Sequence, residues 1–428
     1  MRHNTANIFG TLLVVGAAVS LLACDTAKNP LEVESSSRIP AVNVETPGNA
    51  QLLVDGAVAD FECAFASYVV EGATVGEEFV YAQQTADRVP ADRRNVLPTD
   101  QRYATNTCEG LGIYGPLQIA RASAENILSY LKGWTDAQVS GRTRLIGIAA
   151  AYAGYNYVLL GEGFCTLAFS KINPDRSIEY GGEITRDSTF KIAINKFTEA
   201  IAASTTAGNT EILRMALVGR ARAKLDLGDY AGAKADAQQI PAGFVKNATY
   251  SATVGRRNNL VWADNAITNR SSSIGLPYRA MTGDSRVPVV TTTVTSATGI
   301  VHFYQTKYAS VSDPIPIATY EEAQLIIAEA NIRANDLAGA LPILNAERTR
   351  GGQGAFTGTT QAQYMVELID QRRRELFLES QHLGDIIRFG ITVSPAAGTA
   401  YHFGGTYGNQ YCFPLPAAER LNNPLIGS

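Results

Sequence analysis

Histidine, methionine and tryptophan are scarce: 428 residues hold four His, four Met and two Trp. His3 sits in a leader segment, which leaves His302, His382 and His402, too few and too scattered for a histidine-built metal centre. The five cysteines contain no Cys-x-x-Cys pair and no Cys/His zinc spacing. Also missing are a GxSxG elbow, an HExxH helix, a Walker A loop and a GxGxxG opening a helix, the commonest signs of hydrolases, metalloproteases and nucleotide users. Positive charge is not in excess. The 36 Lys and Arg face 40 Asp and Glu, net −4, whereas a long nucleic-acid footprint needs clustered cations against phosphate. Past the N-terminus, no apolar run approaches the roughly 20 residues of a membrane-spanning helix. The chain therefore reads as a non-enzymatic binding protein with no cofactor.

What is present begins at the N-terminus. Arg2 and His3 precede an apolar stretch from Ile8 to Leu22, the pattern of a signal peptide over residues 1–23. Leu21, Leu22, Ala23 and Cys24 resemble a bacterial lipobox, so Cys24 is the expected lipid-attachment site, and several acyl chains anchor stably. Residues 24–49 mix Pro, Ser and charge without helical periodicity and read as a lipidated tether. With Cys24 lipidated, Cys63, Cys108, Cys165 and Cys412 remain, an even number that fits two disulfides in an exported protein. Three connectivities are open to them, as are buried free thiols.

Residues 50–428 read as one mainly helical domain. Leu53, Ala57, Phe61, Phe65 and Tyr68 form a helical stripe, and a second helix is expected from Pro116 through Ile119, Ile127 and Leu131. The Ala- and Tyr-rich stretch 142–161 follows. An internal echo then appears: GRARAKLDLGDYAGA (219–233) aligns with IAEANIRANDLAGA (327–340), Ala221 on Ala328 and Ala223 on Ala330. Each copy has a small-residue helix, a short turn and a second helix, which is the pattern of tetratricopeptide-like hairpins. Between the copies, residues 243–318 are rich in Gly, Asn, Ser and Pro and punctuate short β-branched and aromatic runs. This is a loop- and strand-rich insertion on a helical frame. Its aromatics are the best ligand surface in the sequence, and Trp262, Tyr278 and Tyr304 are the candidates, combining stacking faces with polar edges. The adjacent pairs Glu77/Glu78 and Glu321/Glu322 diverge on a helix and do not make a glycosidase pair.

Near the C-terminus, RRRELFLESQHLGDIIRFG (372–390) reads as a single helix that places seven charges among apolar residues. Arg372 and Glu375, and Asp385 and Arg388, are i, i+3 neighbours able to pair along it. Arg373 and Glu379 are free to reach the C-terminal segment or the helix ending at Arg348–Arg350. A structural clamp fits these charges better than a catalytic site, because unmatched buried ions are costly.

This stretch resembles the C-terminal signature of the SusD/RagB family, matching at Arg372, Arg373, Arg374, Glu375, Leu376, Glu379, Asp385, Arg388 and Gly390. Residues 314–352, with their AEA helix, and YCFPLPAAERLNNP (411–424) resemble two further segments of that family. Gln371 stands where a Glu is usual, Leu383–Gly384 where Trp is usual, and Thr319 where Arg is common. The resemblance implies a SusD-like helical fold. It also implies a lipoprotein of the outer membrane, surface-exposed as a lid, that captures oligosaccharide or peptide and passes it to a SusC-type TonB-dependent barrel. It further implies the pairings Cys63–Cys108 and Cys165–Cys412. A helical-repeat scaffold that binds only proteins and an exported polysaccharide hydrolase are the alternative readings.

Overall fold

Two helices buried on every side over most of their length organise the molecule. The first, α1 (Ala50–Val75), is buried at every residue from Phe61 to Val75, not only on the expected stripe. The second, α3 (Arg142–Gly163), is buried throughout from Ala149 to Gly163. Such helices belong at the centre of a large core, with amphipathic ones around them. The computed structural model describes residues 44–85, 88–173, 175 and 177–427. The chain divides into the units Met1–Thr46 and Pro47–Ser428. Only residues 44–46 of the first are described, so the signal peptide, Cys24 and most of the tether lie outside the described residues.

Helix α2 (Tyr114–Gly133) packs on α1 and α3. It starts two residues before the expected Pro116. The N–H groups of Ile113 and Tyr114 both donate to the Tyr103 carbonyl, at 3.0 and 2.8 Å, so donors left over at the helix start find a partner in the preceding loop. Helix α4 (Arg186–Thr206) runs antiparallel along α3. Gly147, Gly154 and Gly161, seven residues apart, face Ser204, Phe197 and Phe190, also seven apart. A Cβ on Gly154 or Gly161 would sit 2.7 Å from a phenylalanine ring carbon, so the absence of side chains is what lets these helices close up.

The two echoing segments share one construction. Helices α5 (Thr210–Asp226) and α6 (Tyr230–Ala237) form the first hairpin, α7 (Tyr320–Arg333) and α8 (Leu337–Arg350) the second, and α6 lies against α7. Before each second helix, a left-handed residue, Gly228 (φ 76°) or Asn335 (φ 59°), turns the chain. Asp229 and Asp336 then cap it, each carboxylate accepting from the N–H three residues on, Gly232 or Gly339, at 2.9 Å. A side chain at either glycine would collide with its capping carboxylate. Thr319, the departure from the family pattern, caps α7 by accepting from the Glu322 N–H at 3.0 Å.

Residues 243–318 leave and rejoin this frame through an antiparallel ribbon, β6 (Val245–Ala248) against β10 (Ile315–Thr319). Between them, β7 (Ser272–Ile274) pairs with β1 (Phe79–Tyr81), and β8 (Val289–Thr295) forms a bulged hairpin with β9 (Val301–Gln305). Asn265, fully buried, ties these strands together: its amide donates to the carbonyls of Ser272 and Phe303 and its oxygen accepts from the Gln305 N–H, at 2.8, 3.1 and 2.8 Å.

The charged stretch 372–390 is not one helix. α9 (Gln361–Glu375) stops, residues 376–381 turn with Leu378 and Ser380 at φ 57° and 90°, and α10 (His382–Phe389) follows, closed by Gly390 at φ 64°. The turn brings Arg372 onto Asp385, both carboxylate oxygens engaged at 2.7 and 3.0 Å. Glu375 therefore does not pair with Arg372; it meets Arg350 and Arg286. Asp385 and Arg388 do pair, at 2.8 Å. Arg373 reaches Glu77 (2.8 Å) and Glu379 reaches Lys307 (2.6 Å), neither in the segments expected for them. Lys307 and Tyr308 also donate to the carbonyls of Phe377 and Leu378, at 2.8 and 3.1 Å, so the insertion is fastened to this turn.

The clamp continues inward. Arg388 meets Glu329 at 2.6 Å and Asp226 at 3.6 Å, while Arg222 grips both oxygens of Glu162 at 2.6 and 2.5 Å. Arg222 and Glu329 occupy the same position in the two echoing helices. Burial pushes the Glu322 carboxyl up to about 7 against the pull of Arg222 and Arg372. Burial works against the charge of Asp385 as well, but Arg372 and Arg388 hold its carboxyl below the usual range. Apart from Asp385–Arg388 within α10, each of these pairs joins different elements or both sides of the turn, as a clamp requires.

Candidate functional site

Helix α2 keeps one face open. Leu117, Ala120, Ala124, Ile127, Leu128 and Leu131 point into the core, whereas Ile119, expected with them, is 41% exposed. Ile119 lies two residues, about 200°, from Leu117 at 100° per residue. It forms the floor of a cleft made of two adjoining cavities of about 410 and 180 Å³, both bordered by Asn106 and Ile119. The larger is walled by the short strands β2 (Leu167–Ala168), which pairs with β5 (Glu183–Ile184), β3 (Lys171–Ile172) and β4 (Ile178–Glu179), and by the C-terminal helix Ala417–Asn422.

Each wall is fastened by covalent or hydrogen bonds. The Cys63–Cys108 disulfide ties the 104–109 loop to α1, with Cα atoms 5.8 Å apart, and Cys165–Cys412 ties the C-terminal segment to the chain leaving α3, at 5.1 Å. Around the second bond, Cys165 N–H donates to the Phe413 carbonyl (2.9 Å) and Phe413 N–H to that of Gly163 (2.8 Å). Asn423 donates to the Gly181 carbonyl at 2.8 Å, and Arg420 forks onto Glu183 at 3.0 Å.

Polar groups line the cleft in fixed orientations. Tyr114 donates its hydroxyl to Glu419 at 3.1 Å, and burial together with that carboxylate pushes the phenol well above its ordinary range. Gln118 donates to the Ala168 carbonyl (2.9 Å) and accepts from Arg121 (2.9 Å). Arg121 also pairs with Glu125 (2.7 Å), donates to the Ser170 carbonyl (2.9 Å) and lies 5.2 Å over the Phe169 ring. Burial works against the charge of Glu125, but Lys196 and Arg121 hold its carboxyl below the usual range. Asn106 and Asn422 are exposed at the rim, and Ile119, Ile172 and Ile178 supply an apolar ridge, each at least 41% exposed. Amides and a carboxylate around an apolar ridge suit a ligand with one apolar face and many hydroxyls.

None of the three aromatics proposed from sequence lines this cleft. Tyr278 is a core residue: it is fully buried, stacked on Phe377 at 4.9 Å and edge-on to His382 at 5.9 Å, and offers no ring face to a ligand. Trp262 sits half-buried against the core on the one-turn helix Leu260–Asn265, its backbone N–H received by the Asn259 side chain at 3.0 Å. Tyr304 is half-buried on β9, stacked 6.0 Å from His302. The cleft residues Tyr114, Gln118 and Arg121 were missed because a helix's open face shows only once its partners are placed. The angular offset of Ile119 was the one sign available. Among the described residues, no group of three or more His, Cys, Asp or Glu is arranged to hold a metal ion, and no helix is long and apolar enough to cross a membrane.

The SusD family model matches residues 278–424. Among solved structures, the chain is similar to a SusD-like carbohydrate-binding protein from Bacteroides vulgatus, with 17% identity and a TM-score of 0.66 over 89% of this chain and 97% of that one. It is similar to a SusD homolog from Bacteroides thetaiotaomicron, with 13% identity and a TM-score of 0.70 over 91% and 98%. A SusD superfamily protein from Parabacteroides distasonis gives 13% identity and 0.68 over 91% and 99%. No curated protein matches the chain. The resemblance read from residues 372–390 thus holds both for the family segment and for the fold.

Proposed function

We propose that this chain, which carries the SusD/RagB family segment on a SusD-like fold, is a glycan-binding lipoprotein of a nutrient uptake system. In this reading it captures oligosaccharide without turning it over. It is anchored through Cys24 in the outer membrane, facing outward, and hands its ligand to a SusC-type TonB-dependent barrel. The observation that carries the reading is that residues 416–422, within the family-matched segment, wall an open cleft whose lining mixes an apolar ridge with amide and carboxylate groups. Pyranose rings have that same division between an apolar face and polar edges. The relative of like fold that is a carbohydrate-binding protein supports the ligand class.

The test is calorimetric titration of the mature protein against a panel of oligosaccharides, with Gln118→Ala and Asn422→Ala beside the wild type. Loss of one hydrogen bond lowers affinity by about 3- to 10-fold. Binding by no oligosaccharide, or unchanged affinity in both variants, refutes the ligand class or the cleft respectively. Cys24→Ser is expected to abolish labelling by a palmitate analogue and to release the protein from the membrane fraction.

A further inference from the structure

Ile172 borders a further cavity beyond the cleft, of about 500 Å³, at the far end of α2. Its lining differs in charge from the rest. Lys132, Lys171 and Lys196 converge on it with the half-buried ring of Tyr130, against a single lining carboxylate, Glu125. Glu125 is shared, at 2.7 Å with Arg121 and 2.8 Å with Lys196. Lys132 pairs with Glu199 at 2.6 Å. Lys171 approaches Glu179 only to 3.7 Å, both side chains being at least 60% exposed, which is a loose and screened pair. Four cations therefore meet three carboxylates here, on a chain whose net charge is −4. Each ammonium has three donors, and one carboxylate does not exhaust them.

Resting on the glycan-binding reading above, we infer that the ligand is an anionic oligosaccharide. Its neutral part lies over Ile119 and Ile172, and its carboxylate or sulfate group is received by Lys132, Lys171 and Lys196. From Ile119 to Lys132 the helix advances about 20 Å at 1.5 Å per residue. A ligand touching both ends is an oligomer rather than a single sugar. Charge-assisted hydrogen bonds to the ammonium groups supply the discrimination. Exchange of Glu179 for a ligand anion at Lys171 loses little, because that pair is loose.

The experiment titrates the mature protein with tetragalacturonate, its fully methyl-esterified form, a sulfated oligosaccharide and a neutral panel, at low and at high NaCl. The expected result is that an acidic ligand binds about tenfold or more tighter than its neutral counterpart at low salt, with the advantage shrinking as salt screens it. Uronate and sulfate arms identify the source of the charge. In Lys132→Gln/Lys171→Gln the ratio of acid to ester affinity falls toward one, and Lys171→Arg restores it in part. Circular dichroism confirms that the double variant is folded. Equal affinity for acid and ester, or an unchanged ratio in the double variant, overturns the anionic assignment and leaves glycan binding standing. If no oligosaccharide binds at all, the glycan-binding reading itself falls.

Discussion

Arg388→Met removes the cation on which most of the buried clamp converges while keeping an apolar stem of similar length. Arg388 is 11% exposed and serves Glu329 at 2.6 Å, Asp385 at 2.8 Å and Asp226 at 3.6 Å. Asp385 keeps its two-pronged contact with Arg372 in the variant. Glu329, with no exposed surface, keeps only Arg333 at 3.5 Å. Asp226 keeps only the weaker pull of Arg222 and Arg186. One to two buried carboxylates are thus left without a close partner, a loss of about 3–5 kcal/mol at neutral pH. The pH dependence follows from Asp226. Burial and the charge of Glu162 already push its carboxyl well above the ordinary range, against the pull of Arg388 and Arg222. Without Arg388 it rises further. An acid whose folded value exceeds its unfolded value favours the fold at low pH and loses that contribution as pH climbs through the folded value. The deficit of the variant therefore grows once pH passes the folded value of Asp226 in the wild type, and is at least as large at pH 8 as at pH 5. Urea unfolding at both pH values measures it, with Arg388→Lys as a charge-keeping control expected to lie between. A deficit under about 1 kcal/mol at pH 8, or one that is larger at pH 5 than at pH 8, refutes the claim that this network is a desolvated clamp.

Gly154→Ala puts a methyl group 2.7 Å from the Phe197 ring and is expected to cost about 1–3 kcal/mol, partly recovered by Phe197→Leu, in thermal or urea unfolding. Glu322→Gln is expected to stabilise by about 2 kcal/mol at pH 8 and by little at pH 5, because burial raises that carboxyl to about 7 and its charged form opposes folding above that pH. A variant less stable than wild type at pH 8 contradicts it. Asp229→Ala and Asp336→Ala, two caps of the same geometry, should each lose about 1 kcal/mol. A much larger loss at one of them would mean that its carboxylate does more than cap.

Much of the frame was legible because its causes are local. The echo DYAGA/DLAGA encodes a capping Asp and a Gly that must lack a side chain beside it, both within four residues of sequence. Gly390 at the end of α10 adopts the left-handed conformation that glycine favours. The change of composition across residues 243–318 marked strands and loops against a helical background, and the Arg-rich signature marked the resemblance to the SusD family over the C-terminal segment. The α2 cleft was not legible. Its floor was assigned to the core with the rest of an apolar helix, and its far wall comes from residues 416–422, some 300 positions along the chain.

The sequence by itself therefore determined where most helices lie and how several are capped, which segments are irregular and which family the C-terminal segment resembles, since neighbouring residues settle those matters through backbone preference and capping. Tertiary structure alone decided who meets whom. Leu378 and Ser380 take left-handed conformations with no glycine to announce them, and that turn exchanges the expected Arg372–Glu375 pair for Arg372–Asp385. Arg373 finds Glu77 across 296 residues. Tyr278, polar-edged and set in a loop-like segment, becomes a core ring because Phe377 and His382 are folded onto it. Burial and ion pairing depend on which elements pack together, and no short window of residues contains that information.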